Sequence, residues 1–316
     1  MIDFRYHLVS LIAVFLAVAL GIVIGTTALN EPILADIENQ VADLEQDKRA
    51  LEDQTQELQT QLDTADAFQE AVAPVLVDGT LTGRSVLLVT TNEDVAPEVV
   101  EEVRTLIAEA GGTINGELSL RPEYSDPSTS AALQNYVTDP GGLPAGIELP
   151  ATDDTGELVG SLLAQTLMIP AEGAASDGAV VSSVLAGLAS LDVLAVDSDG
   201  VSPADHAVVL TADAFTGEDG EARNETVIDL VTALDAAGSG AVVAGNAASA
   251  GETGLVGAIR ADPSLAAAVS TVDNVATLPG QISTVLALGA ESEGTSGVYG
   301  TGEGAQPVPP VPASAP

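Results

Sequence analysis

Residues 8–29 carry no charged side chain. A helix of about 22 residues spans roughly 33 Å, slightly more than the roughly 30 Å hydrocarbon core of a bilayer. Hydrocarbon offers no partner to backbone amides, and a helix satisfies them internally, so the stretch reads as one transmembrane helix with some tilt. Arg5 and His7 lie on one side of it, whereas Glu31, Asp36 and Glu38 precede any basic residue on the other. The positive-inside rule then makes residues 1–7 a cytoplasmic tip and puts everything after the span outside the cytoplasm. A cleaved signal peptide is the rival reading, with Thr26-Thr27-Ala28 as a poor small-x-small site. The apolar run exceeds the roughly 7–15 residues of an ordinary signal core, which favours an uncleaved anchor.

Within the span, Ala13, Ala17, Gly21 and Gly25 recur every four residues. That spacing stacks small side chains on one helix face, and a Gly-x-x-x-Gly groove lets two helix backbones approach closely. Gly and Ala are also simply frequent in membrane helices.

Beyond the span, Asn30-Glu31-Pro32 reads as a cap and first turn, and residues 33–73 as a coiled coil. Leu34, Val41, Lys48, Thr55, Leu62 and Gln69 fall at heptad position a; Ile37, Leu44, Leu51, Leu58, Ala65 and Val72 fall at d. More than five heptads suit a genuine coiled coil, on the order of 60 Å long, ending at Pro74. Lys48 and Thr55 weaken the seam but fix register and favour a dimer. The alternative is an amphipathic helix folded back on the domain that follows. A parallel homodimer satisfies the small-residue ladder and the heptads together.

Residues 74–83 end in Gly79-Thr80-Leu81-Thr82-Gly83 and read as a flexible linker. From 84 to 290 the pattern is α/β. Strands are expected at 85–90, 113–120, 192–196, 207–211, 241–244 and 272–276, and helices at 97–110, 155–168, 178–190, 223–237, 263–270 and 280–289. Such alternation predicts a layered domain with a mostly parallel sheet. Residues 121–154, rich in Pro, Gly and Asp, read as a long loop or insertion. The Gly-, Pro- and Ser-rich stretch 291–316 reads as a disordered tail.

The chain has 316 residues, 8 of them Lys or Arg against 47 Asp or Glu, for a net charge of -39. That potential repels phosphate backbones and excludes nucleic acid as a partner. With Cys at 0, there is no disulfide framework, zinc knuckle or thiol nucleophile. The loop after the first strand, Thr90-Thr91-Asn92-Glu93-Asp94, has no glycine and two acids, so it lacks both the dinucleotide fingerprint and a P-loop. The segment from Gly245 to Gly251 follows a strand but matches no phosphate motif. Asp197-Ser198-Asp199-Gly200 opens like a calcium loop, yet Val208 stands where the bidentate Glu belongs. His206 is a lone histidine at a strand edge and reads as structural. No Gly-x-Ser-x-Gly elbow is present, so no catalytic residue or bound cofactor is assigned and the protein is expected not to be an enzyme.

The N-terminal run Met1-Ile2-Asp3-Phe4-Arg5-Tyr6-His7-Leu8-Val9-Ser10-Leu11, continuing into Gly21-Ile22-Val23-Ile24-Gly25-Thr26, resembles the actinobacterial MctB family of copper transport proteins. The plan of span, heptad helix and α/β domain is similar over residues 1 to about 290. The resemblance implies an envelope protein assigned to copper export or homeostasis, in some descriptions an outer-membrane channel. Division-linked members imply instead a control of septal peptidoglycan hydrolysis, through an envelope protein partner of the coiled coil. No ligand motif transfers. Copper(I) prefers soft ligands, and the chain offers only Met1, Met168, His7 and His206 among them. Copper therefore enters as a transported ion without an identifiable site.

Overall fold

The computed structural model describes residues 4–310 except 93, 140–142, 145, 172 and 197–199, with the side chains of 26–35 also outside the description. The chain divides into two compact units, Met1–Ala67 and Phe68–Pro316.

The first unit is helix α1 (Phe4–Val77), whose last residues belong to the second. The expected break at Asn30-Glu31-Pro32 is not there, because the backbone stays helical through it. Nor does Pro74 end the helix. A proline inside a helix costs about 3 kcal/mol; here Ala73 and Val77, on either side of it, are buried in the second unit's core, which offsets that loss.

The second unit is a seven-stranded sheet in the order β3-β2-β1-β4-β5-β6-β7. Its strands are β1 (Ser85–Thr90), β2 (Thr113–Leu120), β3 (Leu194–Val196), β4 (His206–Thr211), β5 (Ala241–Gly245), β6 (Ser270–Val272) and β7 (Val298–Tyr299). Every pairing is parallel except β2 with β3. The central strands are aliphatic without interruption because both faces are covered. Leu87, Val89, Ala207, Val209, Ala241 and Val243 point into one core. Their neighbours Val86, Leu88, Val208, Leu210, Val242 and Ala244 point into the other.

The first core lies under α3 (Ser130–Thr138), α4 (Thr155–Leu167), α5 (Gly178–Ser190), α6 (Gly220–Ala237) and α7 (Leu255–Ala261). The second lies under the end of α1, α2 (Pro97–Glu109) and α9 (Leu278–Glu291); α8 (Pro263–Ala268) precedes β6. Several acids of this acidic chain serve as helix caps. Asp154, Asp177 and Asp262 accept from first-turn amides of α4, α5 and α8, a position favoured both by the free amides and by the helix dipole. One glycine is demanded by a close approach: a Cβ on Gly116 would meet Val201 at 2.8 Å, where the chain crosses a β-bulge between β1 and β2.

Four further expectations need correction. The stretch 121–154 is no bare loop, since it holds two short 3-10 turns, Pro122–Tyr124 and Pro127–Thr129, and α3. The joint at 79–83 is held in place: Leu81 is fully buried, and its N–H donates to the Ala110 carbonyl at 2.9 Å. The strand expected at 272–276 ends at Val272, because Asn274 starts the turn in which Thr277 caps α9. Finally, the expected disordered tail contains β7 over its described part, while residues 311–316 lie outside the described residues.

The tail is latched by one ion pair. Arg260 meets Asp273 at 2.7 Å and donates to the Tyr299 carbonyl at 2.8 Å. Asp273 in turn accepts from the Thr301 and Gly302 amides. Burial opposes its charge, but these donors hold its carboxyl below the usual range. Glu291, at the end of α9, accepts from the Ser270 amide at 2.8 Å and is pushed up to about 7, chiefly by burial. Asp273→Ala should leave the largely buried Arg260 without its carboxylate and cost about 3 kcal/mol. Equilibrium unfolding checks the loss, and faster hydrogen exchange at the Thr301 and Gly302 amides should localise it.

Candidate functional site

The residues expected to pair helices all lie on α1, but they are described unevenly. Phe4–Gly25 is the one stretch among the described residues long and apolar enough to cross a membrane. Ala13, Ala17 and Gly21 are exposed on it, and a Cβ on Gly21 or Gly25 would meet no heavy atom within 4 Å. The groove is therefore open along its length. Leu34 falls outside the described side chains.

Further along, Ile37 is 51% exposed, Val41 49%, Leu44 69%, Leu51 63%, Leu58 52% and Leu62 58%. Lys48 makes an ion pair with Glu52 at 3.4 Å, and the Thr55 hydroxyl turns back to the Leu51 carbonyl at 2.7 Å. Lys48 and Thr55 thus close these interactions within the helix and leave the apolar row uncovered.

In the α/β unit, β1 and β4 are neighbours from which the chain departs in opposite directions across the sheet. Ligands of such sheets bind in the crevice at the strands' carboxyl ends. Here that crevice is laced by side chains. Asn92 donates to the Ala212 carbonyl at 2.6 Å, tying the loop after β1 to the loop after β4. Asp213, in the left-handed region at φ 55, exchanges hydrogen bonds with Asn246: its N–H donates at 3.1 Å and it accepts at 2.9 Å. Asn246 belongs to the Gly245–Gly251 segment, so that segment ties the loop after β5 to the loop after β4.

His206 is fully buried, with Nε2 3.2 Å from the Ser292 hydroxyl, and burial lowers its pKa. Asp197, Ser198 and Asp199 lie outside the described residues, while Val208 is buried in β4. Among the described residues, no three His, Cys, Asp or Glu side chains converge as metal ligands do.

A cleft of about 290 Å³ opens between the 3-10 turns after β2, the start of α4 and the first half of α6. Four acids line it: Asp153, Asp154, Glu225 and Asp229. Asp153, Asp154 and Glu225 are exposed, and Asp229 is half-buried. Tyr124 is 2% exposed, and its hydroxyl has no hydrogen-bond partner among the described residues. Burial first, and the Asp229 charge second, push the Tyr124 phenol up. Burial also pushes Asp229 up to about 6, with help from Asp154, Glu157 and Glu225. Sequence reasoning did not find this cleft, because its members lie far apart in the chain and half of them fall in the segment read as a loop.

The raised pKa of Asp229 has a direct consequence for stability. The folded state favours the protonated carboxyl, so the protein is relieved of this charge below the unfolded value near 4 and bears its full cost above about pH 7. Asp229→Asn should therefore stabilise the protein by about 1 kcal/mol at pH 8, after allowance for solvent screening, and by nothing at pH 3.5. Unfolding of both proteins at the two pH values checks this; equal stability at pH 8 would contradict it.

Residues 1–310 match the family model described as "Copper transport outer membrane protein, MctB". Copper transporter MctB of Mycobacterium tuberculosis (strain ATCC 25618 / H37Rv) is 34% identical over 313 residues, covering 98% of this chain and 99% of the relative. Copper transporter MctB of Mycobacterium leprae (strain TN) is 33% identical over 313 residues, covering 96% and 98%. The similarity runs through the apolar helix, the heptad segment and the whole α/β unit, and the chain belongs to the MctB family.

Proposed function

We infer that this protein is a non-enzymatic, membrane-anchored component of copper transport or homeostasis in the cell envelope, acting as a parallel homodimer. The observation that carries this reading is α1 itself. One helix bears an apolar stretch long enough to cross a membrane and then an exposed apolar row, in a chain whose relatives are named copper transporters. Arg5 and His7 support a cytoplasmic N-terminus by the positive-inside rule, with the α/β domain then extracytoplasmic. A single span encloses no pore, so a path for copper requires an oligomer or a partner.

A second reading is favoured by the same exposed row from Ile37 to Leu62. It makes α1 a docking surface for an envelope protein, with septal peptidoglycan remodelling as the process controlled. One experiment separates the two. The gene is deleted in the native host and restored as wild type or as Leu51→Asp, and cell copper and cell shape are followed during copper challenge. Copper transport that depends on the helix pair predicts raised cell copper in the deletion, rescue by wild type, failure by Leu51→Asp, and loss of cross-linking through a cysteine at Leu58. Unchanged copper with chained cells would overturn it in favour of the envelope regulator.

A further inference from the structure

The cleft at Tyr124 and Asp229 is unexplained by pairing, anchoring or copper. Its floor is unusual. A buried hydroxyl without a partner costs about 1–3 kcal/mol and is rare in folded proteins. Tyr124 is such a group, fixed in its turn by the Arg121 carbonyl, which accepts from the Tyr124 N–H at 2.9 Å. Beside it, close approach demands a glycine at Gly156: a Cβ there would sit 2.5 Å from Asp229 Oδ2, 3.2 Å from Asp154 Oδ1 and 3.2 Å from the Thr226 Cα. Two carboxylates thus border one point at the start of α4.

Among the described residues, no basic side chain lines the cleft. The neighbouring cation, Arg223, is committed elsewhere, bonding Asp126 at 2.6 Å, donating to the Pro122 carbonyl at 3.3 Å and lying 5.8 Å from the Phe215 ring centre. The cleft therefore combines uncompensated negative charge, an unused hydroxyl and an apolar wall that includes Leu133 and Val159.

We propose that this cleft binds a short alkyl diamine, with one ammonium held between Tyr124, Asp229 and Asp154 and the other at the exposed acids Asp153 and Glu225. The Tyr124 oxygen accepts an N–H that it has no partner for in the free protein, and the Asp229 carboxylate is compensated where it is least solvated. The alkyl chain lies along the aliphatic wall. A hard divalent cation fits less well, since it takes six to eight oxygen ligands, whereas an ammonium needs only two or three acceptors. The volume stands near the lower end of the roughly 300–1,000 Å³ of small-molecule pockets, which selects a short ligand.

Calorimetry on the full chain in dodecyl maltoside, titrated with 1,4-diaminobutane at pH 7.5 and low salt, tests this. Saturable binding of one diamine per chain is expected, weakened roughly tenfold or more in Asp229→Asn and in Tyr124→Phe. Glu109→Gln, an exposed acid on α2, should bind as wild type does. Both cleft variants should unfold no earlier than wild type, because each removes an uncompensated polar group. No saturable heat, unchanged binding in Asp229→Asn, or displacement of the diamine by stoichiometric calcium would overturn the proposal.

Discussion

Apolar side chains left in water set the terms for this protein. From Ile37 to Leu62, the aliphatic residues of α1 leave about half or more of their surface exposed, although burying each is worth roughly 1.5–3 kcal/mol. The support visible within this stretch of helix is local. Pairs such as Lys48 with Glu52 and Arg49 with Glu45 contribute only about 0.2–0.5 kcal/mol each. Most helix stability in proteins comes from packing an apolar face. The proposed second copy supplies that packing, and it does so in the register that Lys48 and Thr55 favour by weakening the seam at defined positions.

The α/β unit solves the same problem internally. Its sheet sends alternate residues of each central strand into separate cores, and helices cover both. This is why β1, β4 and β5 were legible as aliphatic runs bounded by turns, and why they lie close to where the sequence puts them. What could not be read depended on contacts distant in sequence. Val298 and Tyr299 look like low-complexity tail until Asp273 and Arg260 are seen to hold the segment after β6. Pro74 looks like a helix stop until Ala73 and Val77 are seen to be buried. A local rule was overridden in each case by tertiary packing.

The two candidate sites differ in the same way. The ladder from Ala13 to Gly25 and the heptads to Leu62 are periodic, so the sequence alone places them on helix faces, though it says nothing of what covers them. Tyr124, Asp154 and Asp229 have no periodicity and no motif spacing. Only the fold brings the turn after β2, the cap of α4 and the flank of α6 to one cleft. In a chain of net charge -39, a few acids with a buried phenol among them carry no compositional signal at all.

Parallel pairing of α1 is the claim on which the functional reading rests, and distance measurement between copies tests it most directly. Spin labels on single cysteines replacing Glu38 or Gln61, in the full chain in lipid nanodiscs, report the separation of like residues in two copies. A parallel pair predicts short and similar distances at both positions, set by an interaxial separation of about 10 Å plus the label arms. An absence of dipolar coupling, or a long distance at either position, would contradict it.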